Sequence, residues 1–80
     1  MITGHQIRAA RAFLGWSASE TAKKAGLTRE TIERLERSSD IPASRTQSLV
    51  ELQRIFEEAG IEFLGGPGEG PGVRLWKKQG

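Results

Sequence analysis

The sequence predicts a mainly α-helical fold, four short helices followed by two short β-strands. Three observations lead there. A hydroxyl residue stands three positions ahead of Glu or Gln at Thr3 and Gln6, Ser17 and Glu20, and Ser44 and Gln47. In that spacing a side-chain oxygen satisfies free N–H groups at a helix start. Apolar residues then recur at helical spacing behind each start. Residues 61–80 change character: Ile61-Glu62-Phe63-Leu64 and Val73-Arg74-Leu75-Trp76 alternate apolar with polar, around the turn-rich connector GGPGEGPG.

The first helix starts at the Thr3 cap and runs to about Leu14, with Ile7, Ala10 and Leu14 on one face and Gly15 at its end. His5, a lone histidine in its first turn, has no partner at metal-ligand spacing and reads as solvated. Trp16 precedes the Ser17 cap, where an apolar residue packs over a helix start. The second helix follows and closes at Gly26, which can take the positive φ that other residues resist. Thr28 then caps a third helix, running from about Arg29 to Arg37. Pro42 blocks helix, so the fourth starts at the Ser44 cap and runs to about Ala59, with Gly60 closing it. Its stripe is Leu49, Leu52, Ile55, Phe56 and Ala59, and Glu51, Arg54, Glu57 and Glu58 form a solvated face.

The centre of this pattern is the pair of short helices around the Gly26 corner. The small side chain of Ala22 lets the third helix approach the second, and Ile32 and Leu35, near neighbours on one face, fill the space beneath. The opposite face then presents Arg29, Glu30, Glu33 and Arg34, long enough to reach base edges in a major groove.

Residues Ser17 to Glu36 resemble the helix-turn-helix of the Cro and lambda-repressor (XRE) family, matching its pattern at Ser17, Ala22, Gly26, Thr28, Ile32, Leu35 and Glu36. Ala18 stands where that pattern carries Gln, Thr21 where it carries Leu, and Ser38-Ser39-Asp40 where Gly and a basic residue are usual. The Thr21 substitution is expected to thin the core. The resemblance implies a repressor-like DNA-binding domain over residues 1–60 and a β-strand extension over residues 61–80 that in a Cro-like arrangement joins two protomers, through Ile61, Phe63, Val73 and Leu75; the eight-residue connector leaves strand pairing within one chain and between two chains both open. It also implies that Arg29, Glu30, Thr31 and Arg34 read base edges while Arg11, Ser17, Ser19, Thr28 and Arg37 hold the DNA backbone. Arg11 is further implied to pair with Glu36, fixing the third helix.

Charge sets limits on these expectations. The chain of 80 residues carries a net charge of only +2. From Met1 to Ser38, however, seven Arg and Lys side chains face four Glu, whereas from Ser39 to Gly60 two Arg face one Asp and three Glu. A basic half beside an acidic one suits a domain that turns one side to phosphates, and ordinary mixing of surface charge is the other reading. Trp76-Lys77-Lys78 is either a backbone contact or a solvated tail. So short a chain buries a small core, which a second protomer supplements.

Several classes fall away. One His, no Cys and no Tyr leave no pairing of nucleophile and base, no catalytic residue, no metal site and no cofactor. The absence of Cys and of a continuous apolar stretch at the N-terminus fits a soluble, unprocessed cytoplasmic protein with no membrane partner. The expected function is sequence-specific binding of double-stranded DNA by a homodimeric regulator of prokaryotic or phage type. A protein-interaction module of the same fold, an antitoxin or co-regulator, is the alternative.

Overall fold

A computed structural model describes residues 2–76. The elements run α1 (Gly4–Leu14), α2 (Ala18–Ala25), α3 (Arg29–Glu36), α4 (Thr46–Glu58), β1 (Ile61–Leu64) and β2 (Gly72–Leu75). The four helices and two strands are those the sequence predicts.

Three of the four helix starts follow from local chemistry. The Thr3 hydroxyl accepts from the Gln6 N–H at 3.1 Å while the Gln6 side chain accepts from the Thr3 N–H at 2.9 Å. Ser17 and Glu20 repeat the arrangement at α2, and Thr28 caps α3 by accepting from the Thr31 N–H at 3.2 Å. Each bond satisfies an N–H that the helix itself leaves without a partner. Gly26 ends α2 at φ 70°, the left-handed conformation that closes the corner, and the Leu27 N–H returns to the Ala22 carbonyl at 2.8 Å.

The fourth start differs from expectation. Arg45, not Ser44, occupies the cap position of α4, and no side chain caps it. The Ser48 and Leu49 N–H groups both turn to the Arg45 carbonyl, so the hydrogen-bond ladder begins one residue later than the Ser44 and Gln47 spacing requires. A guanidinium has only donors and cannot accept from the helix N–H groups.

The core draws on every element except β2. Ile7 and Ala10 of α1, Ala22 of α2, Ile32 and Leu35 of α3, and Leu49, Leu52, Ile55 and Phe56 of α4 are buried together with Ile2 and Ile61. At roughly 25 cal/mol per Å² of apolar surface, each such aliphatic or aromatic side chain contributes about 1.5–3 kcal/mol relative to exposure. Thr21 belongs to the interior. It is fully buried, and its hydroxyl donates to the Ser17 carbonyl at 2.9 Å, so its polar atom has a partner inside α2. Trp16 packs on α4, its ring stacked on Phe56 at 5.6 Å, and Phe63 meets the same Phe56 edge-on at 6.1 Å.

The strands pair antiparallel with each other within one chain, Ile61 opposite Leu75 and Leu64 opposite Gly72. On the hairpin's outer side Glu62 accepts from the Trp76 indole N–H at 2.8 Å and pairs with Arg74. A two-stranded ribbon is marginal alone. Here Phe63 and Val73 rest against the helical core, and Ile61 is buried within it.

Candidate nucleic-acid interface

Helix α3 divides into two faces. Ile32 and Leu35 are fully buried and Glu36 nearly so, while Arg29, Glu30, Glu33, Arg34 and Arg37 are exposed. The division follows from periodicity: positions 32, 35 and 36 share one side of a 3.6-residue turn, and positions 29, 30, 33, 34 and 37 fall on the others. Ala22 of α2, 3 % exposed, lies in the same core cluster as Ile32 and Leu35, as its small side chain requires.

Glu36 turns inward toward Arg11 of α1. The guanidinium grips the carboxylate with two bonds, Nε to Oε2 at 2.8 Å and Nη2 to Oε1 at 2.9 Å, and Nη1 donates to the Trp16 carbonyl at 3.2 Å. The pair implied for α1 and α3 is therefore formed. Its hydrogen bonds to Glu36 raise the Arg11 pKa from an already basic value, against the smaller opposing effect of burial. One N–H on each terminal nitrogen of Arg11 is not used in these bonds.

The outward side chains form a different set of contacts from the simple helical pairs Glu30 with Arg34 and Glu33 with Arg37. Neither of those is an ion pair among the described residues; Arg29 and Glu33 are, at 3.8 Å. Arg34 instead donates to the Ala43 carbonyl in the loop before α4, at 3.0 Å. The loop thus passes close enough to α3 for its backbone to meet a side chain of the helix. The Thr31 hydroxyl lies 2.9 Å from that of Thr28, so the cap and its neighbour share one hydrogen bond.

Shallow clefts flank α3 on both sides. One is lined by His5, Arg8, Arg11, Ala18 and Arg37 together with Glu33 and Glu36. The other is lined by Leu27, Thr31, Arg34, Ser44, Arg45 and Ser48, and Arg45 also borders a neighbouring depression with Lys23 and Lys24. Ser17, Ser19 and Thr28 are exposed at the starts of α2 and α3, so the face as a whole presents hydroxyls and cations. Asp40, the acidic residue of the loop after α3, directs its carboxylate to the Ile41 N–H at 2.7 Å.

The helix-turn-helix family profile matches residues 7–58. The chain belongs to the Cro/C1-type helix-turn-helix (XRE) family. The match spans α1 to α4 and so covers both helices of the motif and the two that support them. This XRE-family chain is thus a DNA-binding helix-turn-helix regulator, of a family that is generally non-enzymatic. No curated protein matches it. No helix among the described residues is long and apolar enough to cross a membrane.

Some residues that shape this face gave little sign in the sequence. Gly4 lies directly against the end of α3, its N–H donating to the Asp40 carbonyl at 3.2 Å and the next N–H, of His5, to the Ser38 carbonyl at 3.1 Å. A glycine at the first position of a helix, where most residues fold better, was the available signal. Arg8 and Arg45 register in the sequence only as charges. Lys77 and Lys78 lie outside the described residues. Of the strand residues, Ile61 is buried in its own chain's core, Phe63 and Val73 are half-buried, and Leu75 is 38 % exposed.

Proposed function

We propose that this chain is a sequence-specific, double-stranded-DNA-binding transcriptional regulator that acts in the cytoplasm as a homodimer on an inverted repeat. The observation that carries this reading is the two-faced α3: anchored from behind by Ile32, Leu35 and the Arg11–Glu36 pair, charged in front, and flanked by cation-lined clefts. A rod of about 10–12 Å diameter with its side chains fits a major groove about 12 Å wide, whose two walls are phosphate strands.

In this reading Arg29 and Arg34 address guanine O6 and N7, Glu30 accepts from a cytosine amino group, and Thr31 meets a thymine methyl. Arg11, Ser17, Ser19, Thr28 and Arg37 hold phosphates on one side, and Arg45 does so on the other. Two copies joined through the hairpins, with Leu75 the most exposed of the four expected strand contacts, place their α3 helices about 34 Å apart on one face of the duplex.

Selection of bound sequences from a random DNA pool, with stoichiometry measured on the winner, tests the proposal. An enriched inverted repeat bound by two chains supports it. A pool without enrichment overturns it.

One observation favours a second reading. Trp76 and Leu75 are 56 % and 38 % exposed on the hairpin, apolar surface of the kind a protein partner covers. A protein-interaction module, antitoxin or co-regulator, would recover a partner in a pull-down while failing to shift DNA at low salt.

A further inference from the structure

Gln6 is 2 % exposed, and both ends of its amide are engaged. The oxygen accepts from the Thr3 N–H in the helix cap. The nitrogen donates to the Leu64 carbonyl at 3.0 Å and to the Gly72 carbonyl at 2.9 Å, with the Gly65 carbonyl at 3.4 Å. Leu64 and Gly72 are register partners at the end of the ladder, where the chain leaves β1 and returns into β2. A single side chain on α1 therefore holds both strands of the hairpin at its neck.

The same end of α1 is tied to α3. The Gly4 and His5 N–H groups donate to the Asp40 and Ser38 carbonyls just beyond α3, and Gly4 meets the Leu35 carbonyl with no room for a β-carbon. Directional contacts thus run without a break from the hairpin neck through Gln6 to the exit of α3. Besides its two-residue link to α4 through Ala59 and Gly60, the hairpin is held by apolar packing of Ile61, Phe63 and Val73. Apolar burial is non-directional; hydrogen bonds to two strands at once set an angle.

We propose that Gln6 is a positioning residue that fixes the angle between hairpin and recognition helix, and through it the half-site spacing that the dimer accepts. The inference rests on the reading of the hairpin as the homodimer contact. One added base pair displaces a half-site by about 3.4 Å and rotates it by about 35° around the duplex. A rigid connection rejects such a displacement, and a loose one accommodates it.

Two variants separate clamping from folding. Gln6→Glu keeps the oxygen that accepts from Thr3 and removes both donors to the strands; Gln6→Met removes donors and acceptor in a neutral side chain of similar size. In both, hydrogen exchange of the β1 and β2 amides is expected to quicken about tenfold or more while α2 and α3 keep their protection. Affinity for a single half-site stays within about twofold of wild type, and the preference for the best-spaced repeat over repeats one base pair longer or shorter falls about fivefold or more. An undiminished spacing preference in variants whose hairpin exchanges faster overturns the role of Gln6. Loss of folding in both variants makes Gln6 a residue of the core and also overturns it. A wild-type chain that binds half-sites indifferently to spacing overturns the dimer reading, and this inference with it.

Discussion

Gly4 sits so tightly on Leu35 that a β-carbon in its place would lie 1.9 Å from the Leu35 carbonyl oxygen and 2.6 Å from that of Ser38. Both obstacles are backbone, so no side-chain rotation relieves them. Gly4→Ala sets two effects against each other. Alanine favours helix over glycine by about 1 kcal/mol, whereas inserted atoms in a packed site cost typically about 1–3 kcal/mol, and more where backbone must move. The clash wins, because α1 must separate from α3 to relieve it. A net loss of about 2 kcal/mol is expected, lowering the melting temperature by roughly 10 °C for a domain of this size. A melting temperature equal to or above wild type would show that helix propensity governs the position.

The Arg11–Glu36 pair predicts an asymmetry between its two halves. Side-chain exposure is 24 % for Arg11 and 9 % for Glu36, so the carboxylate is the more desolvated group. Arg11→Ala strands that carboxylate and is expected to cost about 2–3 kcal/mol, short of the roughly 3–5 of full burial because the arginine is partly exposed. Glu36→Gln leaves a neutral acceptor facing a guanidinium that reaches water, and should cost less than half as much. Chemical denaturation of both variants checks the order. Equal losses would mean that desolvation of Glu36 does not decide the energetics.

Much of this architecture was legible in residue types alone. Three helix starts are written in Thr3, Ser17 and Thr28 because a cap is a local bond, decided within four residues. The inward face of α3 was legible for the same reason, its period being set by the helix. What the sequence hid depends on tertiary contact. Gln6 has the spacing of a capping residue, and nothing local shows that its other end reaches the strands some sixty residues away. Arg34 stands at pairing distance from Glu30, but its guanidinium goes to the Ala43 carbonyl, in a loop whose path no local pattern dictates. Ser44 carried a start signal one residue too early, because the ladder begins at the Arg45 carbonyl.

Thr28 unites a fold role with its place at the front of α3. Its hydroxyl accepts the Thr31 N–H and bonds the Thr31 hydroxyl. Thr28→Ala is expected to lose about 1 kcal/mol of stability, the usual value of a cap. Thr28→Ser restores the oxygen and should recover most of it. If Ser restores stability but not DNA affinity, the methyl group has a contact of its own on the DNA; if it restores neither, the hydroxyl is not the stabilising group. Thermal melts and binding titrations on the two variants separate these outcomes.

Arg34 and Arg45 border the same cleft yet should fail in different ways. Arg34 is exposed on α3, with one Nη1 bond holding it to Ala43 and its remaining donors without a partner among the described residues. Arg45 is exposed at the start of α4, across the cleft from Arg34, with no carboxylate partner among the described residues. A side chain that reads a base discriminates by about 1–3 kcal/mol at one position, whereas one that meets a phosphate weakens every sequence alike and lowers the salt slope by about one. Arg34→Ala should therefore relax specificity at a single base pair and leave the slope of log affinity against log salt nearly unchanged. Arg45→Ala should lower affinity for cognate and random DNA by a similar factor and reduce the slope by about 0.9 for each phosphate that is no longer neutralised. Titrations of both variants against the selected site and a scrambled one, at three salt concentrations, give the two signatures directly. If Arg34→Ala weakens binding uniformly with a reduced slope, its guanidinium holds the backbone, and base reading falls to Arg29 and Glu30.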